Sequence, residues 1–91
     1  MGLAEQIAEL GRSRTNIRFT ELVKICREHF GDERISGSHH IFKTPWPGDP
    51  RINLQKDGNK AKPYQVDQVA AALKKLLEMN ERKPEGEKGK K

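Results

Sequence analysis

The chain has 91 residues, of which 33% are hydrophobic and 34% charged, and its formal net charge at pH 7 is +5. A chain of this length can form one domain around a single modest core. The single cysteine excludes an internal disulfide, and no apolar run reaches membrane-spanning length. The first ten residues lack the pattern of a signal peptide, so we expect a cytoplasmic protein without a membrane partner. The sequence pI of about 9.6 favours an anionic partner, with nucleic acid as the first candidate.

Two helices are predicted in the first third of the chain. Leu3, Ile7 and Leu10 recur at helical spacing, which predicts a short helix over residues 3–10. After a polar link, Thr20 is a suitable N-cap for a second helix, and Gly31 suits its C-terminal end. One side of this second helix carries an apolar stripe: Phe19, Leu22, Val23, Cys26 and Phe30.

Three short strands and a last helix follow. The strands are predicted at RIS (34–36), HHIFKT (39–44) and RINLQ (51–55), with a Gly-Ser turn after the first and the loop PWPGDP (45–50) after the second. The last helix is predicted over about residues 65–80, and the charged tail 81–91 is predicted to be disordered because it has no apolar residue. The fold class is therefore α+β, in the order α-α-β-β-β-α. Helices cover one side of an antiparallel sheet, and the other side is open.

The adjacent histidines of GSHHIFK are predicted to lie on opposite sides of the sheet, because neighbouring strand residues alternate. If Phe42 belongs to the core, His40 shares its buried side, and Ile52 and Leu54 do the same in the third strand. His40 is then a structural residue, and His39 is the functional candidate. The open side of the sheet is predicted to carry His39, Ile41, Lys43, Arg51, Asn53 and Gln55.

The segment GSHHIFKTP, the helix before it, the RINLQ strand and the terminal AAALKKLLE helix resemble the HicA family of toxin–antitoxin toxins over residues 19–79. Members of that family resemble double-stranded-RNA-binding domains in fold, cleave mRNA without a metal and are silenced by a HicB antitoxin. The resemblance implies one HicA-like domain over residues 1–80, with residues 3–10 as an extra helix. It also implies RNA and a HicB-like antitoxin as partners, and neither cofactor nor metal. The family's catalytic histidine, the first after Gly-Ser, corresponds to His39.

The chemistry of RNA cleavage fits these residue types. A histidine can take the proton of a 2′-hydroxyl near neutral pH, and Lys43 on the same side of the sheet can stabilise the developing charge. Lys60 and Lys62 precede the last helix, whose N-terminus also favours a phosphate, although both can equally be solvated turn lysines. The predicted RNA contacts are Ser38, Lys43, Arg51, Lys60 and Lys62. A non-catalytic RNA-binding module that uses the same surface is the alternative function.

A zinc site built from Cys26, His29, His39 and His40 is the competing interpretation of the histidines. We predict no metal site, because Cys26 lies in the apolar stripe and the two strand histidines diverge.

Two aromatic residues leave further alternatives. Trp46 is predicted to cover the edge of the sheet, with base stacking as the alternative, and the residue before the last helix, Tyr64, is predicted to pack.

Overall fold

A computed structural model describes residues 2–46 and 51–87 of the chain. It confirms the α+β layout and the antiparallel sheet, whose strands lie in the order β1-β2-β3. The elements in chain order are α1 (Leu3–Arg12), α2 (Phe19–Phe30), β1 (Arg34–Ser36), β2 (His39–Phe42), β3 (Ile52–Gln55) and α3 (Pro63–Glu87).

The start of α2 differs from the prediction. The helix begins at Phe19 with Arg18 as its N-cap, so Thr20 lies inside the first turn and the expected Thr20 cap is wrong. The reason is a tertiary contact, because the backbone N–H of Phe19 donates to the carbonyl of Asn59 at 2.8 Å. The predicted end is confirmed, since Gly31 adopts φ 87° and its N–H donates to the carbonyl of Arg27.

The last helix is longer than the sequence predicts. It begins at Pro63, a favourable residue for a first helical position, and its backbone continues to Glu87 instead of ending near residue 80. Residues 81–87 of the predicted tail are therefore helical, while residues 88–91 lie outside the described residues, as do residues 47–50 of the proline-rich loop. A domain boundary near residue 80 stays a prediction.

The core lies between the helices and one side of the sheet. Phe42 and Leu54 contribute fully buried side chains from the sheet, and they are covered by the helices. The apolar stripe predicted for α2 is confirmed, with its last member half-buried. The other fully buried large side chains come from all three helices: Leu10, Leu22, Cys26, Gln65, Val66, Val69 and Leu73.

Polar contacts attach the N-terminal helix to the rest of the domain. The side chain of Gln6 on α1 donates to Glu28 at 2.9 Å and accepts from His29, both on α2. In the link after α1, Arg14 forms two hydrogen bonds to Asp67 on α3, at 2.7 and 2.8 Å. The extra helix is thus part of the folded unit.

None of the helices in the described segments combines the length and apolar character needed to cross a bilayer.

Candidate functional site

A tight turn sets the position of the two histidines. Gly37 adopts φ 62°, a conformation that side-chain-bearing residues rarely adopt, and Ser38 completes the turn before β2 begins at His39. The pairing continues past the end of β3, because the N–H of Lys56 donates to the carbonyl of Ser38 at 2.9 Å. The turn therefore holds the first residue of β2 in a defined register with both neighbouring strands.

The register sorts the strand residues onto two sides of the sheet. His40 pairs with Leu54 and Phe42 pairs with Ile52, and the last three of these are buried in the core. The other side is the open face, on which directly paired residues alternate with the core residues. The open face consists of Arg34, Ser36, His39, Ile41, Asn53 and Gln55.

His39 has a defined orientation on the open face. Its Nδ1 lies 3.0 Å from Oδ1 of Asn53, its diagonal neighbour across β3. An amide oxygen can only accept a hydrogen bond, so Nδ1 carries the hydrogen and, in the neutral ring, Nε2 carries the lone pair. The imidazole is thus held in the tautomer that offers a base at Nε2.

The open face also holds a cation that the sequence analysis missed. Arg34 is exposed and is the diagonal neighbour of His39 on the β1 side, a position about 7–8 Å away and within reach of a long side chain. No carboxylate in the described part of the chain pairs with it. Only the strand register reveals this neighbour, because Arg34 and His39 are five positions apart in the sequence.

His40 has a structural role on the core side of the sheet. Its Nδ1 donates to Oε2 of Glu33 at 3.0 Å, and its ring packs edge-on against Phe19 with a centroid distance of 5.2 Å. Glu33 is 3% exposed and also accepts two hydrogen bonds from Arg27, at 2.7 and 2.8 Å. These hydrogen bonds, those from Arg27 first, lower the pKa of Glu33 to about 2 despite its desolvation. His40 therefore links β2 to the segment between α2 and β1 and to the first residue of α2.

The four candidate zinc ligands do not converge. Cys26 is fully buried, and burial raises the pKa of its thiol to about 12, which disfavours the thiolate. His29 is hydrogen-bonded to Gln6, and the two strand histidines lie on opposite sides of the sheet. Across the described segments, no group of three His, Cys, Asp or Glu side chains is placed to hold a metal ion.

The predicted cations lie at some distance from His39. Lys43 follows the end of β2, four residues beyond His39, which corresponds to about 13 Å of extended chain. Lys43 lies beyond the strand and lines a cavity with His29 and Phe30 of α2, so the structure does not bring it together with His39. Arg51 precedes β3 and lines a cavity with Trp46 and Lys75, on the helix side.

The two lysines before α3 have different surroundings. The ammonium group of Lys62 lies 2.8 Å from Asp57, and this hydrogen bond raises the pKa of Lys62 and lowers that of Asp57. The backbone of Lys60 instead pairs with that of Arg18 in an isolated antiparallel β-bridge. The corner predicted from their sequence proximity is therefore divided between an ion pair and a separate basic surface.

The remaining aromatic residues split into one packed and one exposed side chain. Trp46 packs edge-on against Phe30, and the ammonium group of Lys75 lies 4.7 Å from its ring centroid, in agreement with a cover over the sheet edge. Tyr64 is 61% exposed, so the prediction that it packs is wrong. Its neighbour Gln65 takes the inward position and donates to the carbonyl of Gln55 at 3.1 Å.

No protein-family model matches the chain, and no match was found among curated proteins or solved structures. The HicA resemblance of residues 19–79 therefore stays a prediction.

Glu33 should make the stability of the fold depend on acidic pH. A carboxyl whose pKa falls from 4.5 to about 2 on folding stabilises the native state above its unfolded pKa, and this contribution is lost as the pH falls through its folded pKa. Between about pH 5 and pH 2, the wild-type free energy of unfolding should therefore fall more steeply than that of Glu33→Gln, as measured by urea unfolding. Glu21→Gln, an exposed carboxylate on α2, is the control and should keep the wild-type slope. Equal slopes for the wild type and Glu33→Gln would contradict the ion-pair assignment.

Proposed function

We propose that this protein is a metal-independent endoribonuclease that cleaves mRNA in the cytoplasm, as the toxin of a toxin–antitoxin pair. The observation that supports this function best is the hydrogen bond from Nδ1 of His39 to Asn53, which leaves a basic nitrogen on the open face. Arg34 lies diagonally beside this base, so a base and a cation are available to one phosphate. Both the toxin role and the choice of mRNA come from the HicA resemblance.

The proposed reaction begins at Nε2 of His39. This nitrogen takes the proton of a ribose 2′-hydroxyl, and the 2′-oxygen attacks the adjacent phosphorus. The bond from phosphorus to the 5′-oxygen breaks, and water supplies the proton that this leaving oxygen needs. The products are a 2′,3′-cyclic phosphate and a 5′-hydroxyl end. Because the nucleophile is the 2′-hydroxyl, RNA is a substrate and DNA is not.

Arg34 is proposed to stabilise the extra negative charge of the transition state. A guanidinium group can donate two parallel hydrogen bonds to phosphate oxygens and remains charged at every relevant pH. Lys43 is too far along β2 to share this phosphate and would contact a neighbouring one. With one imidazole on the described part of the open face and water as the acid, we expect a slow enzyme.

The sharpest test contrasts the two histidines. His39→Ala should lower the rate of RNA cleavage by about 10²–10⁴-fold, because it removes the general base, while its melting temperature stays near that of the wild type. His40→Ala should retain His39 chemistry but lose about 1–3 kcal/mol of stability, because it removes a partner of buried Glu33. Gel-based cleavage of a single-stranded RNA and thermal melting of all three proteins measure both effects.

Addition of a chelator should change none of these cleavage rates. Full activity in His39→Ala would contradict the catalytic assignment. Absence of cleavage by the wild type, combined with intact RNA binding, would favour the non-catalytic RNA-binding module instead.

Asn53 is proposed as a positioning residue, which a pH profile can distinguish from a packing residue. In Asn53→Asp, the new carboxylate should stabilise the protonated form of His39, so the acidic limb of the kcat/KM profile should move up by about one pH unit. Asn53→Leu should lower the rate without that displacement, because it removes the hydrogen bond and adds no charge. An unmoved acidic limb in Asn53→Asp would show that Asn53 does not act on the base.

A HicB-like antitoxin is proposed to cover the open face and block His39 directly. Its carboxylates would then face Arg34 and Lys43, so the affinity should fall with added salt. Lys43→Gln should weaken this affinity and reduce its salt dependence, whereas Lys74→Gln, an exposed lysine on α3, should leave both unchanged. The measurement is a titration with the protein encoded beside this gene, paired with the reactivity of His39 towards diethyl pyrocarbonate in the complex. A complex in which His39 stays reactive would contradict direct blocking.

A further inference from the structure

A second basic site lies at the start of α2, outside the open face. A cavity of about 490 Å³ is formed there by the residues before and within the first turn of α2 and by the turn that follows β3. Its side chains include three cations and no carboxylate. The lining residues are Arg18, Phe19, Thr20, Lys56, Gly58, Asn59 and Lys60.

The backbone forces two of these cations together. The N–H of Phe19 donates to the carbonyl of Asn59 at 2.8 Å, and the N–H of Ala61 donates to the carbonyl of Ile17 at 2.9 Å. These two hydrogen bonds flank the Arg18–Lys60 pair, which makes it the non-hydrogen-bonded type, with Cα atoms about 4.5 Å apart and side chains close together. Like charges directly opposite each other destabilise such a pair.

The one acidic residue of the turn does not relieve this repulsion. Asp57 is tied to Lys62 by the 2.8 Å ion pair and does not line the cavity. No described carboxylate pairs with Arg18, Lys56 or Lys60. An anion in the cavity would therefore replace repulsion between cations with attraction to a shared partner.

The cavity adjoins the corner that holds His39. The backbone N–H of Lys56 donates to the carbonyl of Ser38, the residue before His39. Gln55, the cross-strand partner of His39, directly precedes Lys56. A polyanion that lies across His39 can thus reach the cavity by passing over the end of the β2–β3 pair.

We propose that the cavity lined by Arg18, Lys56 and Lys60 binds a phosphodiester of the RNA strand that passes His39. This inference rests on RNA as the substrate of the open face, but it does not require that His39 cleave the RNA. The site would fix the position of the strand next to the scissile phosphate, because it contacts the backbone and no base.

The salt dependence of RNA binding tests this site. A short fluorescein-labelled single-stranded RNA is titrated by anisotropy in a His39→Ala background, so that cleavage does not interfere. Arg18→Gln combined with Lys60→Gln should weaken binding and reduce the slope of log K against log salt by about 0.7, the value for one lost phosphate contact on a single strand. The melting temperature should not fall, because the substitutions remove a repulsive pair.

A matched control separates this site from general charge. Lys24→Gln combined with Lys74→Gln removes the same charge from exposed positions on α2 and α3 outside the cavity, and should leave the slope unchanged. Equal slope changes in both double variants, or no change in the cavity variant, would overturn the proposal. Binding of inorganic phosphate to the cavity of the His39→Ala protein as tightly as the RNA binds would also overturn the proposal. The site would then serve a free anion.

The outcome is independent of catalysis. If the wild type fails to cleave RNA while the cavity variant still shows a reduced slope of log K against log salt, the nuclease proposal fails and the phosphodiester site stands. If the wild type cleaves RNA and the cavity variant binds with an unchanged slope, the phosphodiester site fails and the nuclease proposal stands.

Discussion

The pairing register of β2 is the constraint on which the site depends. Because strand side chains alternate, a slip by one residue would turn His39 into the core and bring His40 to the open face. It would also expose Phe42, which is fully buried, at a cost of about 1.5–3 kcal/mol. The hydrogen bond from His40 to Glu33, on the same core side of the sheet as Phe42, also opposes this slip. Packing of the core side of β2, which carries His40, thus keeps His39 on the open face.

The net charge of the chain is +5, and its cationic side chains differ in their surroundings. Arg14, Arg27 and Lys62 are paired with carboxylates, and each pair ties two segments of the chain together. The exposed pairs of Arg14 and Lys62 contribute little stability, in contrast to the pair of Arg27 with the buried side chain of Glu33. Arg34 lies beside His39, and a second group surrounds the start of α2. In the described part of the chain, the cation beside His39 and the cations around the start of α2 thus form two separate groups.

The fold could be predicted well because hydrophobic period and turn residues are local signals. The alternation of RINLQ and the Gly-Ser turn were enough for the strand order and for the sides taken by His39 and His40. Signals set by distant contacts were not predictable. Arg34 and Arg18 gain their neighbours only through pairing with other segments, and the hydrogen bond of Phe19 to Asn59 moves the start of α2 away from Thr20. The exposure of Tyr64 likewise depends on Gln65 taking the inward position.

The central position of β2 has a consequence for motion. Both edges of β2 are hydrogen-bonded to a neighbouring strand, whereas β1 and β3 each leave one edge without a partner strand in the described sheet. Amide groups on central strands exchange with solvent through larger opening events than those on edges. The short β1, with a charged residue in it, also makes a poor template for association with another sheet. The proposed base therefore lies on the central strand, where fraying of one outer strand leaves its backbone paired with the other.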